Sequence, residues 1–121
     1  MFNHLHGAGD VNLSGRAQSA ILDPNHDKLV SPASLREIAI KLSLGKYALA
    51  EPYDDFIRHA IFDNGFDILP IEPRHTAALV SLPFHHKDPF DRLLIAQALV
   101  EGAPLISADA ALDAYPIQRL W

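Results

Sequence analysis

The chain has 121 residues, 49% of them hydrophobic and 21% charged, a balance that fits one folded domain and argues against a disordered chain. A net charge of −5 argues against a protein that holds nucleic acid on a broad basic surface, and the lack of cysteine excludes disulfides and thiolate metal sites. No apolar run reaches the roughly 18 residues of a membrane span, and residues 1–7 lack the pattern of a signal peptide, so a cytoplasmic setting is the default.

Residues 1–13 show no clear period. Ser14 is an N-cap candidate for a helix through Ile21 or Leu22, followed by a turn over Asp23–Asp27. Lys28–Ser31 reads as a short strand. Ser31 then caps a helix with Pro32 at its first position and Leu35, Ile38, Ala39 and Leu42 at helical spacing, stopping at Gly45. Pro52 opens a helix carrying Phe56, Ile57, Ala60 and Ile61, which ends near Asn64-Gly65. Phe66–Leu69 is a strand, and Glu72–Leu82 a helix with Ala78, Leu79 and Leu82 inward. Residues 83–87 form a loop, and Asp88–Glu101 is the most apolar helix, closed by Gly102. Leu105–Ser107 reads as a buried strand, Ala110–Ala114 as a short helix and Ile117–Leu120 as an edge strand. Strands alternating with helices predict a parallel α/β sheet, whose sites form beyond the carboxyl ends of the strands.

Three acids follow strands or open a helix beside that edge. Asp88 and Asp91 share the first turn of the apolar helix, where Asp88 can cap and Asp91, three residues on, can complete a capping box. The apolar surroundings of that helix also set Asp91 close to the core. Glu37 can pair with Lys41 one turn later, yet Ile40 and Leu44 share its side, and an acid among apolar groups must be paired, protonated or metal-bound. Asp109 follows Ser107 and can cap the short helix at Ala110, while Asp113 reads as surface. Adjacent His85 and His86 in an extended loop point apart, so the pair reads as a solvated loop and not as a metal site.

Ser31-Pro32-Ala33-Ser34-Leu35-Arg36-Glu37-Ile38-Ala39-Ile40-Lys41, the Leu44-Gly45-Lys46 after it, Asp88-Pro89-Phe90-Asp91-Arg92-Leu93-Leu94-Ile95-Ala96-Gln97-Ala98 and Ser107-Ala108-Asp109-Ala110-Ala111-Leu112 together resemble PIN-domain proteins. The similarity runs from about residue 8 to the C-terminus and is strongest to the VapC-like toxin branch of type II toxin–antitoxin systems. It implies a three-layer α/β/α fold and hydrolysis of RNA with Mg²⁺ or Mn²⁺ held by four acids. Three of these carry over by motif: Glu37, Asp91 and Asp109, with Ser107 at the position of a small hydroxyl residue near the fourth. The resemblance also implies a cognate antitoxin and a homodimer.

Family members open with a buried strand of the form Leu-Leu-Leu-Asp-Thr-His, and no acid precedes Asp10 here. The expectation is therefore a sheet lacking its first, central strand and a site one ligand short, with Met1 an internal methionine or the protein degenerate. At Arg36 the family often has Trp. Two further readings stand beside the nuclease: an inactive PIN-like module that binds an antitoxin or itself, and a small α/β metal-binding domain.

Overall fold

The computed structural model describes Phe2–Asn3, residues 15–23 and residues 27–121. Its elements are β1 (Phe2–Asn3), α1 (Gly15–Leu22), β2 (Lys28–Val30), α2 (Pro32–Ser43), α3 (Tyr53–Ile57), β3 (Phe66–Ile68), α4 (Pro73–Val80), α5 (Pro89–Glu101), β4 (Leu105–Ile106) and β5 (Arg119–Leu120). A π-helical turn over Arg58–Phe62 continues α3, and a 3₁₀ turn over Ala110–Ala114 separates β4 from β5. The five strands are all parallel, in the order β3-β2-β1-β4-β5. The α/β reading and the element order are those expected. The Ser14 cap and most of the turn at 23–27 lie outside the described residues.

One expectation is corrected. A central strand is present: Phe2–Asn3 lies between β2 and β4, with Phe2 opposite Leu29 and Leu105 and Asn3 opposite Val30 and Ile106. The physical reason is that a strand needs backbone partners more than an apolar run. With a ladder on both sides, two residues suffice, and such a segment has no period to read.

Alternation along the strands sorts the core into two faces. Leu105 packs with Ala33, Leu94, Ile95, Ala98 and Leu112 on one face of the sheet, with Leu29 against them. Its neighbour Ile106 packs with Ala17 of α1 and Leu120, while Val30 packs with Ile61 and Phe66. Sheet between two helical layers is the result.

Local chemistry places the ends of the helices that matter. Ser31 caps α2, its Oγ accepting the Ala33 N–H at 3.1 Å ahead of Pro32. Asp88 caps α5, its Oδ1 accepting from Phe90 N at 2.8 Å and Asp91 N at 3.2 Å, and Gly102 closes that helix at φ 61°. Buried Gln97 ties α5 to the end of β3, its amide reaching the carbonyls of Leu69 and Pro70. Because the strands are parallel, the segments after β2 and β4 leave the same edge of the sheet, and the start of α5 joins them there.

Candidate functional site

Asp91 and Asp109 come together at that edge, and His86 stands between them. One ligand atom from each lies within 4.8 Å of the others. His86 Nε2 is 3.3 Å from Asp109 Oδ2 and 3.4 Å from Asp91 Oδ2. The Asp91 side chain is 9% exposed and that of Asp109 42%, so the cluster opens to solvent on the Asp109 side.

Each acid is set by its element. Asp109 divides its two oxygens: Oδ1 accepts the Ala111 N–H at 3.0 Å, capping the 3₁₀ turn, while Oδ2 faces the site. Ser107, 4% exposed, accepts the Asp109 N–H on its Oγ at 3.1 Å and so fixes the bend from β4 into the site. Capping is thus real for Asp109, and it leaves the other oxygen for chemistry.

For Asp91 the capping-box expectation is corrected. In a box, the N-cap N–H goes to the side chain three residues on. Here the Asp88 N–H donates instead to His86 Nδ1, 3.1 Å away. Asp88 supplies the cap alone, and the Asp91 carboxylate turns toward His86. Its place on the first turn of a 13-residue helix sets a negative group beside the positive end of the helix dipole, a favourable arrangement.

Glu37 is buried, 5% exposed, on the second turn of α2, which packs against α5. Its Oε1 lies 3.4 Å from Lys41 Nζ. Burial pulls the Lys41 ammonium down. The hydrogen bond to Tyr47 and the charge of Glu37 outweigh it, so its pKa rises overall. Ile40 and Leu44, expected on the same side of the helix as Glu37, are 37% and 63% exposed, so they are not what buries it. Among the described residues, Glu37 is outside the group that closes on His86. Arg36, at the position where family members often carry Trp, keeps an aromatic contact, with its guanidinium 5.4 Å from the centre of the Phe90 ring.

His86 is the functional-site residue that sequence reasoning misses. The expectation that His85 and His86 point apart holds: His85 stacks edge-on against Tyr115 at 5.2 Å, and His86 turns to the acids. The usable signal was the spacing His86-Lys87-Asp88-Pro89, which lets a side chain two residues before an N-cap take the cap's own N–H.

The loop bearing His86 is clamped from below. Tyr115, 3% exposed, donates its hydroxyl to the Pro83 carbonyl at 2.7 Å and accepts the N–H groups of His85 and His86 at 3.0 Å each. Arg92, 7% exposed, donates to the carbonyls of Leu82 and Pro83 and lies 3.9 Å from the centre of the Phe84 ring.

The donor set suits a hard divalent cation. Two carboxylates face one point at the rim of the sheet, and Mg²⁺ or Mn²⁺ prefers such oxygens while keeping several waters.

The sequence matches the PIN domain family over residues 6–118, and the chain belongs to that family. Its fold is similar to that of a chain in the crystal structure of VapBC2 from Rickettsia felis bound to a DNA fragment from their promoter. The two align with a TM-score of 0.64 and 16% identity, covering 86% of this chain and 83% of that one. No curated protein matches the sequence. No helix among the described residues is long and apolar enough to cross a membrane.

Proposed function

We propose that this chain is a metal-dependent ribonuclease, the toxin of a type II toxin–antitoxin pair acting in the cytoplasm. The observation that carries the reading is the convergence of Asp91 and Asp109 at the open sheet edge of a PIN domain. Asp91 and Asp109 hold Mg²⁺ or Mn²⁺, with Glu37 as the third acid of the set. The bound cation supplies an activated water and offsets the charge that develops on the phosphate. The remaining work belongs to the chain itself. The Ala111 N–H and Ser107 hold the Asp109 carboxylate in orientation, and the α5 N-terminus is a favourable place for the Asp91 carboxylate. Lys41 pairs with Glu37 within its buried setting.

An antitoxin and a second copy of the chain are the expected partners, the latter by analogy with the family alone. The R. felis structure is described as a VapBC2 complex on DNA, and a partner of that kind fits a surface that leaves Val80 89% and Phe84 85% exposed.

The test is cleavage of RNA by the 121-residue chain with Mg²⁺ or Mn²⁺, beside Asp91→Asn. Metal-dependent cleavage that disappears in the variant supports the nuclease. Inactivity of the wild type would favour the second reading, a PIN module that binds without cleaving. One observation leans that way: the His86 side chain fills the space between Asp91 and Asp109.

A further inference from the structure

His86 has two ring nitrogens in opposite roles. Nδ1 lies 3.1 Å from the backbone nitrogen of Asp88, which is a donor and nothing else, so Nδ1 keeps its lone pair. The ring proton is therefore on Nε2, and Nε2 is the atom that faces the carboxylate oxygens of Asp109 and Asp91 at 3.3 and 3.4 Å. That N–H hydrogen-bonds Asp109 and stands within ion-pair distance of Asp91, so the ring bridges the two carboxylates. A histidine that ligates metal through Nε2 has the reverse polarity: Nε2 offers a lone pair, and Nδ1–H donates to a carbonyl, a carboxylate or water.

We infer that His86 is an internal occupant of the cation position between Asp91 and Asp109, and that a divalent cation binds there by displacing its ring and not by coordinating it. The inference rests on reading Asp91 and Asp109 as the metal acids. The backbone of His86 does not have to move. Tyr115 holds its N–H, and the Arg92 and Tyr115 bonds to residues 82 and 83 hold the loop. Only the side chain turns, giving up the Asp88 N–H and the carboxylate contacts. It has somewhere to go, being 16% exposed beside an Asp109 carboxylate that is 42% exposed. Metal-free, the bridge relieves the repulsion of two neighbouring carboxylates. Metal-bound, the cation takes over that role, so ring and cation compete for the same two oxygens.

The experiment is calorimetric titration with Mn²⁺ of the wild type, His86→Ala and Asp91→Asn at one pH. Removal of the competing hydrogen bonds is expected to tighten Mn²⁺ binding in His86→Ala by about tenfold. Unchanged or weaker binding in that variant, with Asp91→Asn binding none, overturns the inference and leaves the metal acids standing. Mn²⁺ binding by neither the wild type nor His86→Ala overturns the reading of the acids, and the inference with it. A second measurement needs no variant. Long-range ¹H–¹⁵N spectra of the wild-type ring are expected to show the Nε2–H tautomer without metal and the averaged tautomer mixture of a released ring on saturation with Mg²⁺. A ring locked as Nδ1–H in Mg²⁺ identifies His86 as a ligand and overturns the inference.

Discussion

The Tyr115 hydroxyl accepts the backbone N–H of His86 at 3.0 Å across 29 residues of sequence. Through that bond the last third of the chain sets the loop that enters the candidate site. The same hydroxyl takes the His85 N–H and donates to Pro83, so one buried oxygen satisfies three backbone groups. Tyr115→Phe keeps the ring packing and strands the two N–H groups, while the Pro83 carbonyl keeps Arg92. A cost of about 1–3 kcal/mol follows from leaving buried polar groups unsatisfied. Faster hydrogen exchange at the His85 and His86 amides, together with a lowered Tm, would be the signature. Exchange rates equal to wild type would mean that Tyr115 does not hold the loop.

Asp88 and Asp91 separate cleanly by role. Asp88→Ala removes the acceptor for the Phe90 and Asp91 N–H groups and is expected to cost about 1 kcal/mol. At this chain length that is a fall in Tm of about 4 °C. Asp88→Asn keeps a cap-forming side chain and should recover most of the loss. Thermal melts of the two variants decide it, and an equal loss in both would show that charge, and not the cap, is what matters.

Asp91→Asn is expected to abolish Mn²⁺ binding and RNA cleavage while changing stability by less than about 1 kcal/mol. The cap belongs to Asp88, and the Asp91 carboxylate is turned toward His86 and Asp109. Metal titration and a thermal melt on the same sample make the comparison. Wild-type Mn²⁺ affinity in the variant would remove Asp91 from the ligand set.

Glu37→Gln keeps the size of the side chain and removes its charge from beside Lys41. Metal-dependent cleavage should fall by about a hundredfold, the scale seen when groups around a metal site are lost. The Lys41 ammonium should also titrate lower, since the Glu37 charge is one of the causes that raise it. Cleavage unaffected by the substitution would confine the site to Asp91 and Asp109.

Acid stability carries a signature from the far edge of the sheet. Arg119 hydrogen-bonds Asp113 at 2.8 and 3.1 Å while also donating to the Ser107 carbonyl, just ahead of Asp109. The Arg119 hydrogen bond is the main cause that lowers the Asp113 pKa; slight desolvation opposes it and the Arg119 charge adds to it. A carboxyl with a depressed folded-state pKa leaves the unfolded chain binding the proton more readily. The stabilisation is therefore present above the ordinary aspartate value, about pH 4, and is lost as pH falls through the lower folded value. Thermal melts of wild type and Asp113→Asn from pH 2 to 7 should differ above about pH 4 and converge in acid. The carboxylate is exposed, so the difference is small and shrinks with added salt.

The helices were legible because their signals are local. Ser31-Pro32 and Asp88-Pro89…Gly102 carry cap, first-turn proline and left-handed stop within a few residues, and α2 and α5 begin and end on those signals. The parallel α/β class followed from strands alternating with helices, and the acids at 37, 91 and 109 from the family motifs. Burial of Asp91 was also readable, because the helix around it is apolar on nearly every side.

The tertiary structure alone decided three matters. Phe2–Asn3 is a strand because β2 and β4 lend it two ladders, a property of its neighbours and not of its own residues. Asp91 is released from capping because the Asp88 N–H has another acceptor nearby, so the choice lies in which group reaches that proton first in space. His86 enters the site because Tyr115, 29 residues on, and Arg92 hold its loop at the mouth of the sheet. Sequence spacing determines what a residue can do with its own turn of helix. Contacts between distant segments determine which of those options remains, since each N–H and each carboxylate oxygen is committed to the partner that the assembled fold brings within about 3 Å.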